Sequence, residues 1–117
     1  MSQRAAQVAE ELRKIISRVL IDDLSDPRMG FVTVTRIELT ADLRFARVFY
    51  SVLGTKEEKE STKEVLEENL SFIRRLAAER INMKFAVEIR FEEDASIESS
   101  FKIDTILKKI KDPDKKD

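Results

Sequence analysis

The sequence has 117 residues, 42% of them hydrophobic, so it can bury the core of one domain without disulfide or metal support. It contains no cysteine and no histidine, which excludes thiolate chemistry, disulfide bonds, histidine catalysis and zinc sites built on those ligands. The 22 basic and 23 acidic side chains leave a formal net charge of −1, unlike a uniformly basic nucleic-acid-binding protein.

The charges are nevertheless sorted along the chain. Residues 69–91 carry five basic and two acidic side chains, whereas residues 56–68 carry three and six, and residues 92–104 carry one and five. This basic segment indicates either a functional patch or a chance block on a highly charged surface. No apolar run approaches the roughly 20 residues of a membrane-spanning helix, and the N-terminus lacks a signal-peptide pattern. We therefore expect a cytoplasmic protein with no membrane partner.

The first predicted element is an amphipathic helix that Ser2 can cap. Its apolar residues recur at helical spacing: Ala5, Val8, Leu12, Ile15, Ile16, Val19 and Leu20. Asp26-Pro27 then turns the chain out of helix, because proline restricts its own backbone and that of the preceding residue. Gly30 follows and opens the first strand.

The segments 31–39 and 43–53 predict an antiparallel β-hairpin, joined by a turn at Thr40-Ala41-Asp42. In the second strand, one face should be core: Ala46, Val48, Tyr50 and Val52. The other face alternates Phe45, Arg47 and Phe49, which resembles a base-stacking platform for nucleic acid. Such aromatic residues are more often covered by another element, here the C-terminal helix.

A long helix should follow, since Thr55 and Glu58 fit a capping box. Its apolar stripe continues to about Met83, but Asn69-Leu70-Ser71 places two poor helix formers in the middle, so we expect a bend or restart near Ser71.

The segment 85–91 then alternates as a third strand, parallel to the second after a helical crossover. Ser99 begins a last predicted helix, and residues 112–117 are expected to be a disordered charged tail. The predicted fold is thus α+β, a single KH-like domain of type II over residues 1–111 (α-β-β-α-kink-α-β), with a three-stranded mixed sheet and helices packed on one face.

Several motifs resemble those of bacterial ribosome-binding factor A. They are Arg4 and Val8-Ala9, Asp26-Pro27-Arg28-Met29-Gly30, Asp42-Leu43 with Ala46-Arg47-Val48, Phe72-Ile73-Arg74, Glu88-Ile89-Arg90-Phe91, and Asp94-Ala95-Ser96. The resemblance implies a non-enzymatic assembly factor that binds the immature small (30S) ribosomal subunit and its 16S rRNA. It also implies a part in late maturation, including processing of the rRNA 5′ end, in growth at low temperature, and release by a ribosome-associated GTPase. Ribosomal proteins are further expected partners, and the free protein is expected to be a monomer.

The sequence departs from the family pattern at three places. The family marks the bend with Ala-x-Gly, where this chain has Asn69-Leu70-Ser71, and serine lacks the backbone freedom of glycine. Gln7 replaces a second arginine of the first helix, which leaves Arg4 as the phosphate contact there. Val87 replaces a proline before the last strand.

An ordinary KH domain binds single-stranded nucleic acid with a GxxG loop, which this chain lacks, since its only glycines are Gly30 and Gly54. RNA contacts must then come from side chains and a helix terminus. If the helix restarts at Ser71, then the Ser71 hydroxyl, the guanidinium groups of Arg74 and Arg75, and free backbone N–H groups could converge on one phosphate. The alternative is that both arginines solvate an unbroken helix.

Other basic residues complete the predicted RNA-binding set. Arg80 and Lys84 extend the basic segment, and Arg47 lies on the aromatic face of the hairpin. Arg28 is predicted either to contact RNA or to pair with Asp26 or Asp23 and hold its loop.

Two other function classes remain to be weighed. Catalysis would need carboxylates or an oxygen-bound metal, and the only dense acidic cluster near a strand end, Glu92-Glu93-Asp94, alternates between faces. We interpret it as a solvated strand end and expect no enzyme activity, no metal and no cofactor. A small protein–protein adaptor without RNA contact is the alternative function.

Overall fold

The computed structural model describes residues 3–82 and 87–94. In chain order these form α1 (Gln3–Arg18), a π-helical turn (Val19–Asp23), β1 (Phe31–Leu39), β2 (Phe45–Leu53), α2 (Lys56–Glu68), α3 (Leu70–Ile81) and β3 (Glu88–Glu93). The strand order is β1-β2-β3, with β1 antiparallel and β3 parallel to β2. The predicted α+β fold with a three-stranded mixed sheet is confirmed. The predicted helix from Ser99, the tail 112–117 and the cap at Ser2 lie outside the described residues.

The hairpin has the predicted buried face. Tyr50 lies opposite Val34 and Val48 opposite Ile37, and all four side chains are buried. The register shifts between Val34 and Arg36, which leaves Thr35 as a bulge in β1. The helices pack on this buried face, while Phe31, Phe45 and Leu53 are exposed.

The start of the second strand was predicted two residues too early. Leu43 has φ 63°, in the left-handed region, and its N–H donates to the Thr40 carbonyl at 2.8 Å. The Asp42 carboxylate accepts the Arg44 N–H at 3.1 Å. Leu43 and Arg44 therefore belong to a tight turn, although the side chain of Leu43 is still buried.

The prediction that the acidic end of the third strand is solvated was wrong for one of its residues. Asp94 is 6% exposed, and its carboxylate accepts the Thr35 hydroxyl at 2.7 Å. The Asp94 N–H also donates to the Tyr50 carbonyl at 2.7 Å, which extends the pairing with β2. Asp94 thus fixes the end of β3 against the bulge in β1.

The helices bury the apolar stripes read from the sequence. The largest fully buried side chains include Leu12 and Ile16 of α1, Leu66 of α2 and Ile73 of α3. The predicted capping box is present, because Thr55 Oγ1 accepts the Glu58 N–H and Glu58 Oε1 accepts the Thr55 N–H. Side-chain capping at this end fixes where α2 begins.

Candidate nucleic-acid interface

The long helix is interrupted at Asn69, two residues before the predicted restart at Ser71. Asn69 has φ −104° and ψ 13°, and both its N–H and its side-chain amide donate to the Val65 carbonyl. The next backbone bond runs from Ile73 N–H to the Asn69 carbonyl at 2.9 Å. Helix α3 begins at the following residue, Leu70, and Asn69 makes no side-chain capping bond to its first turn. The first turn of a helix is its positive end, where backbone N–H groups lack partners within the helix.

Two predicted contacts, Ser71 and Arg75, are exposed at this terminus. The Arg75 guanidinium lies over the Phe72 ring, 5.5 Å from its centroid, and pairs with no carboxylate of the described chain. A guanidinium held over a ring keeps its N–H donors available while losing less freedom on binding. The guanidinium of Arg75 is therefore available to contact a phosphate.

Arg74 points elsewhere. Its Nη2 lies 2.6 Å from Glu88 Oε1 at the start of β3, and its Nε is buried with no partner among the described residues. Neighbouring residues on a helix point about 100° apart, so only one of the two guanidinium groups remains free at the break. The structure does not bring Arg74 and Arg75 together on one anion.

Arg28 holds its loop against α2. Its guanidinium pairs with Asp26 at 2.8 Å and with Glu68 at 2.7 Å, and it holds the pKa of both carboxyls below their usual values. The Arg28 carbonyl also accepts the Ser61 hydroxyl at 2.7 Å. Of the two roles predicted for Arg28, RNA contact and an ion pair that holds its loop, the structure therefore shows the ion pair. Because Glu68 is the last residue of α2, Arg28 lies beside the break.

The remaining predicted residues are scattered. Arg80 pairs with Asp23 at 2.8 Å, which ties the end of α3 to the π-helical turn. Arg47 pairs with Glu38 and Glu92 on the open face of the sheet. Arg4 is exposed on α1 with no ion pair in the described part of the chain, and Lys84 lies outside that part.

The aromatic face of the hairpin is only partly available for stacking. Phe49 is 7% exposed, with the Arg36 guanidinium 3.8 Å and the Arg47 guanidinium 5.1 Å from its ring centroid. Phe45 is 56% exposed at the start of β2. Of the two predicted rings, Phe45 and Phe49, only Phe45 is exposed, so they do not form the predicted platform, because successive bases need successive rings.

Sequence reasoning missed a row of three lysines. Lys56, Lys59 and Lys63 line a groove of about 930 Å³ between α2 and β3, whose floor includes Tyr50, Ile89 and Phe91. Four carboxylates line the same groove: Glu60, Glu67, Glu92 and Glu93. Their spacing of three and four residues, which places them on one side of a helix, was readable in the sequence. The sequence analysis considered only the net charge of residues 56–68, which is negative, and so did not single out these lysines.

Comparison with known proteins identifies the family of this chain. The family model described as ribosome-binding factor A matches residues 4–107. The chain belongs to the ribosome-binding factor A family. The Halothermothrix orenii ribosome-binding factor A is 41% identical over 115 residues, which cover 98% of this chain and 94% of that protein.

Solved structures of ribosome-binding factor A proteins have the same fold. A Thermotoga maritima solution structure, described as a candidate ribosome binding factor A, has a TM-score of 0.70 at 40% identity, covering 80% of this chain and 90% of that one. A Thermus thermophilus ribosome binding factor A homology model, fitted into a cryo-electron microscopy map of a 30S complex, has a TM-score of 0.66 at 20% identity. It covers 78% of this chain and 96% of that chain, and at this identity it shows the fold alone.

Other kinds of site find little support in the described chain. Residues 3–82 and 87–94 contain no group of three acidic side chains placed to hold a metal ion. Among the same residues, no helix combines the length and apolarity needed to span a membrane.

Proposed function

We propose that the protein is an assembly factor that binds the immature small (30S) ribosomal subunit through its 16S rRNA. Membership of the ribosome-binding factor A family supports ribosome binding, and the Thermus relative fitted into a 30S map supports the small subunit. The observation that carries RNA contact is the interruption at Asn69, which starts α3 without a side-chain cap and places the Ser71 hydroxyl and the Arg75 guanidinium in its first two turns.

These groups suit a phosphate. Amide N–H groups at a helix N-terminus donate hydrogen bonds to an anion, and the helix dipole favours negative charge at the same place. Arg75 adds a full positive charge whose repulsion by the dipole is relieved when the anion arrives. Such contacts hold the RNA by its backbone rather than by its base sequence, so binding should weaken steeply as salt is raised.

Beyond binding, we propose that the protein assists late maturation by holding the rRNA in a form that the 5′-end processing enzymes accept. In this account it acts in the cytoplasm as a monomer and contributes no catalysis of its own. It supports growth at low temperature, contacts ribosomal proteins on the subunit, and is released with help from a ribosome-associated GTPase. Mapping rRNA 5′ ends in cells lacking the protein tests the maturation role: we expect extended ends, and normal ends would contradict it.

Sedimentation tests the binding itself. The protein should sediment with free small subunits and much less with whole ribosomes, and Arg75→Glu should reduce that binding at least several-fold. Lys14→Glu is the matched control, since Lys14 is an exposed residue of α1 with no ion pair in the described chain. Equal binding by both variants would contradict the proposed contact.

A protein–protein adaptor is the alternative, favoured by one observation. Four of the predicted contacts, Arg28, Arg47, Arg74 and Arg80, are already paired with carboxylates. Ribonuclease treatment separates the two functions, because an adaptor keeps its partner after digestion of the RNA whereas an rRNA-dependent factor loses it.

A further inference from the structure

The groove between α2 and β3 has an apolar floor that the described chain leaves partly open. Leu70 lies beside Tyr50, Ile89 and Phe91 in its lining, and both Leu70 and Phe91 keep part of their surface exposed. The rings of Tyr50 and Phe91 meet edge to face, with their centroids 6.2 Å apart. Among the described strands, β3 pairs with β2 alone and is therefore an edge of the sheet. Natural proteins commonly cover such an edge with a helix or a loop.

The hydroxyl of Tyr50 adds a polar group to this floor. Tyr50 is 2% exposed, and burial, followed by the carboxylates of Glu93 and Glu67, raises its pKa to about 12. Both glutamates line the groove, so the hydroxyl end of the ring lies on the groove side. Within residues 3–82 and 87–94 this hydroxyl makes no hydrogen bond, whereas buried tyrosine hydroxyls usually have a partner. The floor thus offers apolar surface and one unpaired hydroxyl to an occupant.

The charges that line the groove decide which kind of occupant fits. The basic ones are Lys56, Lys59, Lys63 and Arg90, and they are matched in number by the carboxylates of Glu60, Glu67, Glu92 and Glu93. A polyanion gains no net attraction from a balanced lining. An amphipathic helix suits it, because its apolar stripe covers the floor while its charges of both signs stay at the rim.

The residues that follow β3 have this pattern. The helix predicted from Ser99 carries an aliphatic stripe at helical spacing and charges of both signs outside it; the stripe is Ile103, Ile106, Leu107 and Ile110. The chain leaves β3 at the groove itself, since Glu93 is the last residue of the strand and lines the groove. From Asp94 to Ser99 the backbone spans at most about 18 Å, so the predicted helix begins within reach of the floor.

The open face of the sheet suits the same stripe less well. Phe31 and Leu53 are exposed at one end of that face, but ion pairs occupy much of the rest: Arg36 with Glu38, and Arg47 with Glu92. Aliphatic side chains laid over these pairs would take the charges out of water, which is costly. The groove floor carries no such penalty.

We propose that the segment 99–110 of the same chain docks in the groove between α2 and β3, with its aliphatic stripe against Leu70, Tyr50 and Phe91. The segment then covers the edge strand and completes the hydrophobic core on the helical side of the sheet. The inference concerns how the chain packs on itself, so it does not depend on the proposed binding to the small subunit.

Cross-linking within the full chain tests where the segment lies. The sequence has no cysteine, so two introduced cysteines form the only pair that a short bismaleimide can join within one molecule. Ile106→Cys is combined either with Lys63→Cys at the rim of the groove or with Leu53→Cys on the open face, and both of these sites are exposed. At low protein concentration the groove pair should cross-link roughly tenfold faster, because docking raises the effective concentration of Cys-bearing residue 106 at the rim. Equal rates overturn the proposal, and faster reaction with Leu53→Cys overturns it in favour of the open face.

Urea unfolding shows whether the docked stripe stabilises the protein. Ile106→Gln should lower the urea midpoint, because it places a polar side chain against the apolar floor. Thr105→Gln, a neighbouring substitution outside the stripe, should leave the midpoint unchanged. A wild-type midpoint for Ile106→Gln overturns the proposal, and so does an equal loss in both variants.

Discussion

The hydroxyl of Thr62 joins α2 to the loop that precedes β1. Thr62 is fully buried, and its Oγ1 accepts the Gly30 N–H at 2.8 Å while donating to the Glu58 carbonyl at 2.6 Å. Valine has nearly the same shape as threonine, so Thr62→Val removes both hydrogen bonds without opening a cavity. The Gly30 N–H then loses its acceptor.

The size of the effect follows from that loss. An unpaired, largely desolvated donor costs about 1–3 kcal/mol, and the extra apolar burial of the new methyl group offsets part of it. We therefore expect the free energy of unfolding to fall by about 1–2 kcal/mol, which for a domain of this size lowers Tm by roughly 3–10 °C.

Urea unfolding followed by circular dichroism measures this change. The midpoint should fall with an unchanged m-value, because the surface exposed on unfolding stays the same. Thr33→Val is the control, since Thr33 is an exposed residue of β1. If both variants have the stability of the wild type, the Thr62 hydroxyl does not anchor the loop and the reasoning is refuted.

Two further predictions concern the same loop. A Cβ on Gly30 would lie 2.9 Å from Val52 Cγ1, so Gly30→Ala should lower the free energy of unfolding by about 1–3 kcal/mol in the same urea assay, and wild-type stability would contradict the close packing. Arg28 lowers the pKa of Asp26 and Glu68, so the stability they contribute is present above their ordinary values of 3.8 and 4.5 and is lost as pH falls through the lowered folded values. Acid unfolding of Arg28→Gln should accordingly be less steep in that range, and parallel curves for variant and wild type would refute the ion pairs.

The fold was largely predictable because local pattern determines it. The alternation of Ala46, Val48, Tyr50 and Val52 identified the buried face of β2, and the spacing of Thr55 and Glu58 identified the start of α2. Each of these signals lies within a few residues of the feature it predicts. The beginning of β2 was misplaced because a left-handed residue in the turn, Leu43, has a side chain as apolar and buried as those in the strand.

The candidate interface was less predictable because its charges pair across the sequence. Arg28 and Glu68 are 40 residues apart, and Arg74 and Glu88 are 14 apart, so no local pattern reveals that these guanidinium groups are occupied. The sequence also gives no direct sign of which of two adjacent arginines turns toward the sheet.

Photo-cross-linking from the break tests the central claim most directly. A photoreactive side chain at Ser71, which is exposed in the first turn of α3, is irradiated in complexes with purified small subunits. The proposed function predicts a cross-link to rRNA, found by mapping where reverse transcription stops. Cross-links confined to ribosomal proteins, from a variant that still binds the subunit, would contradict RNA binding at the interrupted helix.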